Sequence, residues 1–167
     1  GFIGTPALLP ALVKIGETEL AEAVFLQEEV PGWLYQVKKG ATTIWERWNG
    51  DVGDVSMNSY NHYALGAVAD WLHRSVGGLA PGSPGYKTIS FEPRIGGGLT
   101  RAAVSHDTPY GRAEGSWELE NGHVHVGLTV PPNTSARVLL PRSGGESLEV
   151  GSGVHSWSYE AVATPAP

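Results

Sequence analysis

The chain has 167 residues, no cysteine, an apolar fraction of 41% and a formal charge of −6. It is long enough for one core or two small ones, but it can form neither disulfides nor thiolate metal sites. The acidic balance excludes the basic stripe of a nucleic-acid binder and leaves no polybasic segment for an anionic membrane surface, and no apolar run is long enough to span a bilayer.

In chain order, the start Gly1-Phe2-Ile3-Gly4 carries neither an initiator Met nor a signal peptide and reads as a cut end. Thr5 and Pro6 then offer an N-cap and a first helical proline ahead of Ala7-Leu8-Leu9 and Ala11-Leu12-Val13, with Pro10 marking a kink or a later start. Gly16 is the expected stop. Thr18 caps a second helix whose Leu20, Ala21, Val24 and Phe25 share one face. Glu28, Glu29, Pro31 and Gly32 close it and lead into a loop, Trp33-Leu34-Tyr35. A third helix is expected from about Asn61 to Val76, with small residues Ala64, Gly66, Ala67 and Ala69 for close helix approach.

After Gly77-Gly78 the pattern changes. "GLAPGSPGY" reads as a linker or domain boundary. Period-two runs follow at Lys87–Glu92, Thr100–Ser105, Gly115–Leu119, His123–Val130 and Ala136–Leu140, separated by Asn121-Gly122, Pro131-Pro132-Asn133 and Ser143-Gly144-Gly145. That spacing predicts an antiparallel β-sandwich. The expected architecture is therefore α+β, helices first and a β module second, divided as residues 1–80 and 81–167.

"TTIWERW" is the stretch richest in chemistry: Glu46 and Arg47 stand between Trp45 and Trp48. Flat apolar walls beside a carboxylate are what a sugar site needs. Glu46 reads either as that carboxylate or as a loop acid, paired with Arg47 or hydrogen-bonded within the loop, the indoles then belonging to the core. Trp33 and Tyr35 lie just upstream, where exposed aromatics would point to binding. Asn58, Asn61 and His62 stand at the entrance to the third helix, where a lone histidine is more often a satisfied structural residue than a ligand. Other features carry less. His123 and His125 share a strand face without a third ligand, Ile95-Gly96-Gly97-Gly98 lacks the Lys-Ser/Thr of a phosphate loop, and Asn133-Thr134-Ser135 reads as a turn although it fits the glycosylation sequon. No Gly-x-Ser-x-Gly or nucleophilic cysteine supports acyl transfer.

"GFIGTPALLPAL", "GWLYQVKKGATTIWERWNG", "MNSYNHYALGAVADWLHRSVGGLAP" and "PGYKTISFEPRIGGGLTRA", continued by "TPYG" and "VPPNTSARVLLP", together resemble the bacterial α-L-rhamnosidases of glycoside hydrolase family 78. The resemblance runs from Gly1 to about Pro141, and the stretch from Arg142 to Pro167 is less diagnostic. It implies the last helices of an (α/α)6 barrel followed by a C-terminal antiparallel β-sandwich. It also implies inverting hydrolysis of terminal α-L-rhamnose from glycosides, without a cofactor. In that reading Glu46 is the general base and His62 contacts the sugar. Trp45, Trp48, Trp33 and Tyr35 become pocket-wall candidates, while Arg47 either keeps Glu46 ionised or turns away into a salt bridge. The loop between Trp48 and Met57 departs from the family pattern in being short, which bears on the pocket rim.

Inversion requires a second carboxyl group, the general acid, roughly 6.5–9.5 Å from the first. In the resembled family it lies in a segment far N-terminal to this region, and Asp51 and Asp54 match no acid motif. The expected reading is thus the C-terminal portion of a longer enzyme, needing the missing N-terminal portion and a rhamnose-containing glycoside as partners. The alternative is a non-catalytic carbohydrate-binding or structural remnant.

Overall fold

The computed structural model describes residues 3–145 and 147–162; Gly1-Phe2 of the first motif and residues 163–167 of the closing stretch lie outside the described residues. Helices come first and strands second, as expected. The chain forms two compact units, one running to Trp71 and including Gly96–Gly98, the other comprising Leu72–Ile95 and the residues from Leu99 onward.

The helical unit contains α1 (Thr5–Lys14), α2 (Thr18–Phe25), α3 (Trp33–Lys38), α4 (Tyr63–Gly66) and α5 (Val68–Trp71). The first two helices are capped by Gly4 and Glu17 rather than by Thr5 and Thr18, and neither cap makes a side-chain bond. α1 continues through Pro10; a proline there forfeits the bond to the carbonyl of Pro6, still in the first turns. Gly16 ends the helix at φ +92°, a conformation that favours glycine.

Trp33-Leu34-Tyr35, expected in a loop, open α3 instead. Gly32 lets the chain pass hard against its own preceding turn, where a Cβ would lie 2.4 Å from the Gln27 carbonyl oxygen and 2.6 Å from that of Glu29. Trp33 and Gln36, one helical turn apart, then face inward together. The helix expected over 61–76 begins at Tyr63. His62 is its cap, the imidazole Nδ1 accepting the Ala64 N–H at 3.2 Å. After α5 the chain continues as a π-helical turn, Leu72–Val76, with the Gly77 N–H on the Leu72 carbonyl at 2.7 Å.

Leu9, Ala21, Trp33, Leu65 and Trp71 form the core of this unit. Phe25 sits between Trp33 and Trp71, at centroid distances of 6.0 and 5.3 Å. A buried acid completes it. Glu22, 1% exposed, accepts the Gly96 N–H at 2.7 Å and the Gly98 N–H at 2.8 Å. The glycine run is therefore a turn, as expected, and its bareness has a cause. A Cβ on Gly96 would lie 2.6 Å from Glu22 Cδ, and one on Gly98 2.3 Å from Leu26 Cδ1.

In the second unit β1 (Leu79–Pro81), β2 (Thr88–Phe91), β6 (Ser135–Val138) and β7 (Leu148–Val150) make one sheet, in the order β1-β2-β6-β7. β3 (Arg101–Thr108), β4 (Gly111–Glu120), β5 (His123–Val130) and β8 (Gly153–Glu160) make the other, in the order β3-β4-β5-β8. Neither closes into a barrel. The alternation read from sequence is the pleat of the second sheet: Val124, Val126, Leu128 and Val130 are buried while His123 and His125 face out. Asn121 and Gly122, both at positive φ (50° and 80°), join β4 to β5 as a two-residue hairpin turn.

Three features depart from expectation. "GLAPGSPGY" is no linker at its start, because Leu79 is wholly buried in β1 and pairs with Phe91. β2 and β6 run parallel within an otherwise antiparallel arrangement, a pairing between segments too distant for local pattern to reveal. β8 lies within the less diagnostic closing stretch, yet it pairs with β5 from His123 to Val130. The two sheets meet where Phe91 packs on Gly115; a Cβ there would stand 2.3 Å from Phe91 Cε2. Trp117, 2% exposed, sends its indole N–H to the Val76 carbonyl at 2.7 Å.

Gly115→Ala is expected to destabilise the protein by about 1–3 kcal/mol through overpacking, and Phe91→Leu in the same chain to recover part of that loss. Urea midpoints of the two single variants and the double variant check it, and strict additivity would refute the contact. Glu22→Ala, which strands two amide donors, is expected to cost about 2–4 kcal/mol; a melt within about 0.5 kcal/mol of the parent would show that the carboxylate is dispensable.

Candidate active site

The site is built on two irregular segments that would not pair by propensity alone. The Glu46 N–H donates to the Ser59 carbonyl at 2.9 Å and the His62 N–H to the Ile44 carbonyl at 2.9 Å. Thr43 Oγ1 donates to the Tyr60 carbonyl. The Ser59 N–H returns a bond to Glu46 Oε2 at 3.2 Å. Glu46 and His62, sixteen positions apart in the sequence, thus stand on one short ladder, both half-buried. His62 accepts through Nδ1 from the Ala64 N–H, so in its neutral form the ring proton resides on Nε2. Its ring stacks on Tyr63 at 5.1 Å.

The aromatic residues divide by burial. Trp45 is 7% exposed and meets Tyr60 edge-on at 5.6 Å. Trp33, expected to be exposed, is 4% exposed; its indole N–H donates to the Leu65 carbonyl at 2.9 Å. Trp48 is half-buried and stands edge-on to Trp33 at 4.8 Å. Tyr35 is half-buried, its hydroxyl donating to the Asp51 carboxylate at 3.0 and 3.1 Å. Desolvation, then that carboxylate, holds the phenol above its ordinary pKa. Trp33 and Trp45 therefore belong to the core under the site, while Trp48 and Tyr35 retain exposed surface.

Arg47 is engaged by a neutral partner. Its Nη1 donates to Asn58 Oδ1 at 3.2 Å, and among the described residues no ion pair joins it to Glu46. Asp51 also receives Lys39 Nζ at 3.5 Å. Asp54 caps the turn Val55–Met57, accepting from the Ser56 hydroxyl at 2.6 Å and N–H at 3.0 Å; those bonds hold its carboxyl below the usual range. Both acids near Glu46 in sequence are thus committed to local bonds.

Gln36, Gly50 and Tyr60, which support the ladder, were not singled out from sequence. Gln36, on α3, accepts the Trp45 N–H at Oε1 (3.0 Å) and donates through Nε2 to the Arg47 carbonyl (3.3 Å). The Gly50 carbonyl accepts both Asn58 Nδ2 and the Tyr60 hydroxyl at 2.9 Å, and a Cβ on Gly50 would press to 3.1 Å from the Trp45 ring. One signal was available: Gln36 lies three residues after Trp33, on the same helical face. Among the described residues no cluster of three or more His, Cys, Asp or Glu could hold a metal ion, and no helix is long and apolar enough to cross a membrane. An open concavity of about 930 Å³ lies on β3, β4, β5 and β8, lined by residues such as Arg101, Glu118, His125 and Ser158; neither Glu46, Arg47 and His62 nor Trp33, Tyr35, Trp45 and Trp48 line it.

Residues 1–76 match the family model described as the bacterial α-L-rhamnosidase 6 hairpin glycosidase domain, and residues 78–155 match that of the bacterial α-L-rhamnosidase C-terminal domain. An α-L-rhamnosidase of Formosa agariphila is 42% identical over 155 residues, which is 90% of this chain and 17% of that protein. One from Streptomyces avermitilis is 36% identical over 180 residues, 95% of this chain and 18% of that protein. The crystal structure of native α-L-rhamnosidase from Aspergillus terreus matches with a TM-score of 0.92 at 44% identity, covering 98% of this chain and 20% of that one. The Streptomyces avermitilis enzyme solved with L-rhamnose matches at 0.89 and 36% identity, covering 96% and 18%. The chain spans about a fifth of the length of these proteins. By both domain models and by fold, the chain belongs to the bacterial α-L-rhamnosidase family.

Proposed function

We propose that this chain supplies the general base of an inverting α-L-rhamnosidase acting on rhamnose-containing glycosides, the general acid coming from residues outside this sequence. The observation that carries the reading is the ladder: Glu46 and His62 are both fixed on it, Glu46 to Ser59 and His62 to Ile44. The Glu46 carboxylate, steadied by the Ser59 N–H through Oε2, takes the proton of the water that attacks the anomeric carbon. His62 contacts the sugar. Trp48 and Tyr35 supply the exposed aromatic surface for the ring.

The local engagement of Asp51 and Asp54 supports an acid from elsewhere, as does the small share of the relatives' length that the chain spans. Ile3, Ile15, Met57 and Tyr63 stand in solvent, an apolar surface that the remaining portion would cover. In this reading residues 1–80 complete the catalytic helical domain and residues 81–167 form its β module.

Glu46→Gln keeps an oxygen for the Ser59 N–H and loses the base. It is expected to lower kcat on an aryl α-L-rhamnoside by about 10²–10⁴ while L-rhamnose still binds. Turnover should require the remaining portion of the enzyme, and nuclear magnetic resonance should find β-L-rhamnose as the first product. Undiminished turnover in Glu46→Gln, or α-L-rhamnose formed first, would overturn the reading. Sugar binding without hydrolysis, with every portion present, would instead establish a carbohydrate-binding remnant. His62→Asn, a substitution that can still cap α4, is expected to raise KM by roughly 3–10-fold for one lost hydrogen bond with kcat little changed; a wholly kinetic loss at constant KM would remove His62 from the sugar contact.

A further inference from the structure

Gln36 is 0% exposed, and its side chain is polar. A buried carboxamide is costly unless both of its ends are paired. Here both ends are paired, and with the two residues that flank Glu46: Oε1 takes the Trp45 N–H at 3.0 Å and Nε2 donates to the Arg47 carbonyl at 3.3 Å. The choice of partners fixes the amide's orientation, since an N–H must meet the oxygen and a carbonyl the nitrogen. Glu46 itself is held from Ser59, by its own N–H and by its carboxylate. One residue in irregular backbone is thereby restrained at four points without belonging to a sheet.

The carboxamide also stands on a rigid base. Trp33, one turn earlier on α3, is locked between Phe25, Trp48 and the Leu65 carbonyl. α3 ends with the Lys39 and Ala41 N–H groups on the Gln36 carbonyl, at 3.1 and 3.0 Å, so the backbone of Gln36 is as firmly placed as its side chain.

We propose that Gln36 is a positioning residue for the reaction. In this assignment, which rests on Glu46 being the base, its carboxamide sets where the carboxylate stands relative to the attacking water, and it touches neither substrate nor water. Displacement of a reacting group by about 1 Å costs roughly 10²-fold in rate. A loss of the clamp therefore appears in kcat, with sugar affinity spared.

The test uses Gln36→Met, Glu46→Gln and the double variant, made in the full-length glycosidase that carries this chain. Turnover of an aryl α-L-rhamnoside is measured, with the active fraction taken from the stoichiometry of L-rhamnose titration. Gln36→Met is expected to lower kcat per active site by about 10–100-fold and to move KM by less than about threefold. Because it acts through Glu46, it should add no further loss in the Glu46→Gln background. A merely structural role would lower the active fraction and leave kcat per site unchanged, which overturns the proposal; so does a loss that multiplies in full with that of Glu46→Gln. Normal turnover in Glu46→Gln alone would instead sink the base assignment beneath it. Should Gln36→Met fail to fold, Gln36→Glu keeps the volume and the acceptor for the Trp45 N–H, and kcat equal to the parent in that variant overturns the proposal equally.

Discussion

Irregular backbone can be buried only if each of its amides and carbonyls finds a partner, and this constraint shapes both units. Regular structure answers it with ladders and helices. The segment carrying Glu46 has only a short irregular ladder, so side chains answer the rest: the Gln36 carboxamide, the Tyr60 hydroxyl and the Asn58 amide each meet a backbone group between Trp45 and Gly50. The same device recurs at Glu22, which serves two glycine amides, and at the indoles of Trp33 and Trp117, which serve the Leu65 and Val76 carbonyls. Long side chains with polar tips are therefore spent on backbone as much as on packing.

This explains why the indoles beside Glu46 are not equivalent. Trp45 turns into the core because its N–H is drawn toward Gln36 and its ring lies on Gly50 and against Tyr60. Trp48, three residues on, turns toward Trp33 and keeps part of its surface. An alternation of burial at that spacing leaves the carboxylate at the boundary between apolar floor and solvent. There it keeps a hydrogen bond from Ser59 without being sealed from water.

What the sequence revealed follows the range of the interactions involved. Period-two alternation in His123–Val130 and the Asn121-Gly122 turn are local, and they predicted β5 and its hairpin residue by residue. Gly16 and the glycine run at 96–98 were legible as turns, but the acid that requires the latter lies 74 and 76 residues away. Trp33 looked like a loop residue because Pro31-Gly32 breaks the chain before it; its helical state depends on tertiary partners for Trp33 and Gln36. The parallel β2–β6 pairing is likewise non-local. At the site, the flanking indoles drew attention to Glu46 and a family resemblance to His62, whereas Gln36 carries no motif and is recognisable only by the two groups it touches.

The two hydrogen bonds that the Gly50 carbonyl accepts have a consequence for the loop above them. Asn58 and Tyr60 close the base of the excursion over residues 51–57, so its two ends are pinned independently of its length. Each doubling of a closed loop costs only about 0.6 kcal/mol in chain entropy. Insertions and replacements there can accumulate cheaply while the ladder below keeps its register. The excursion can therefore change in length and sequence, while Gly50, Asn58 and Tyr60 hold the backbone beneath Glu46 in place.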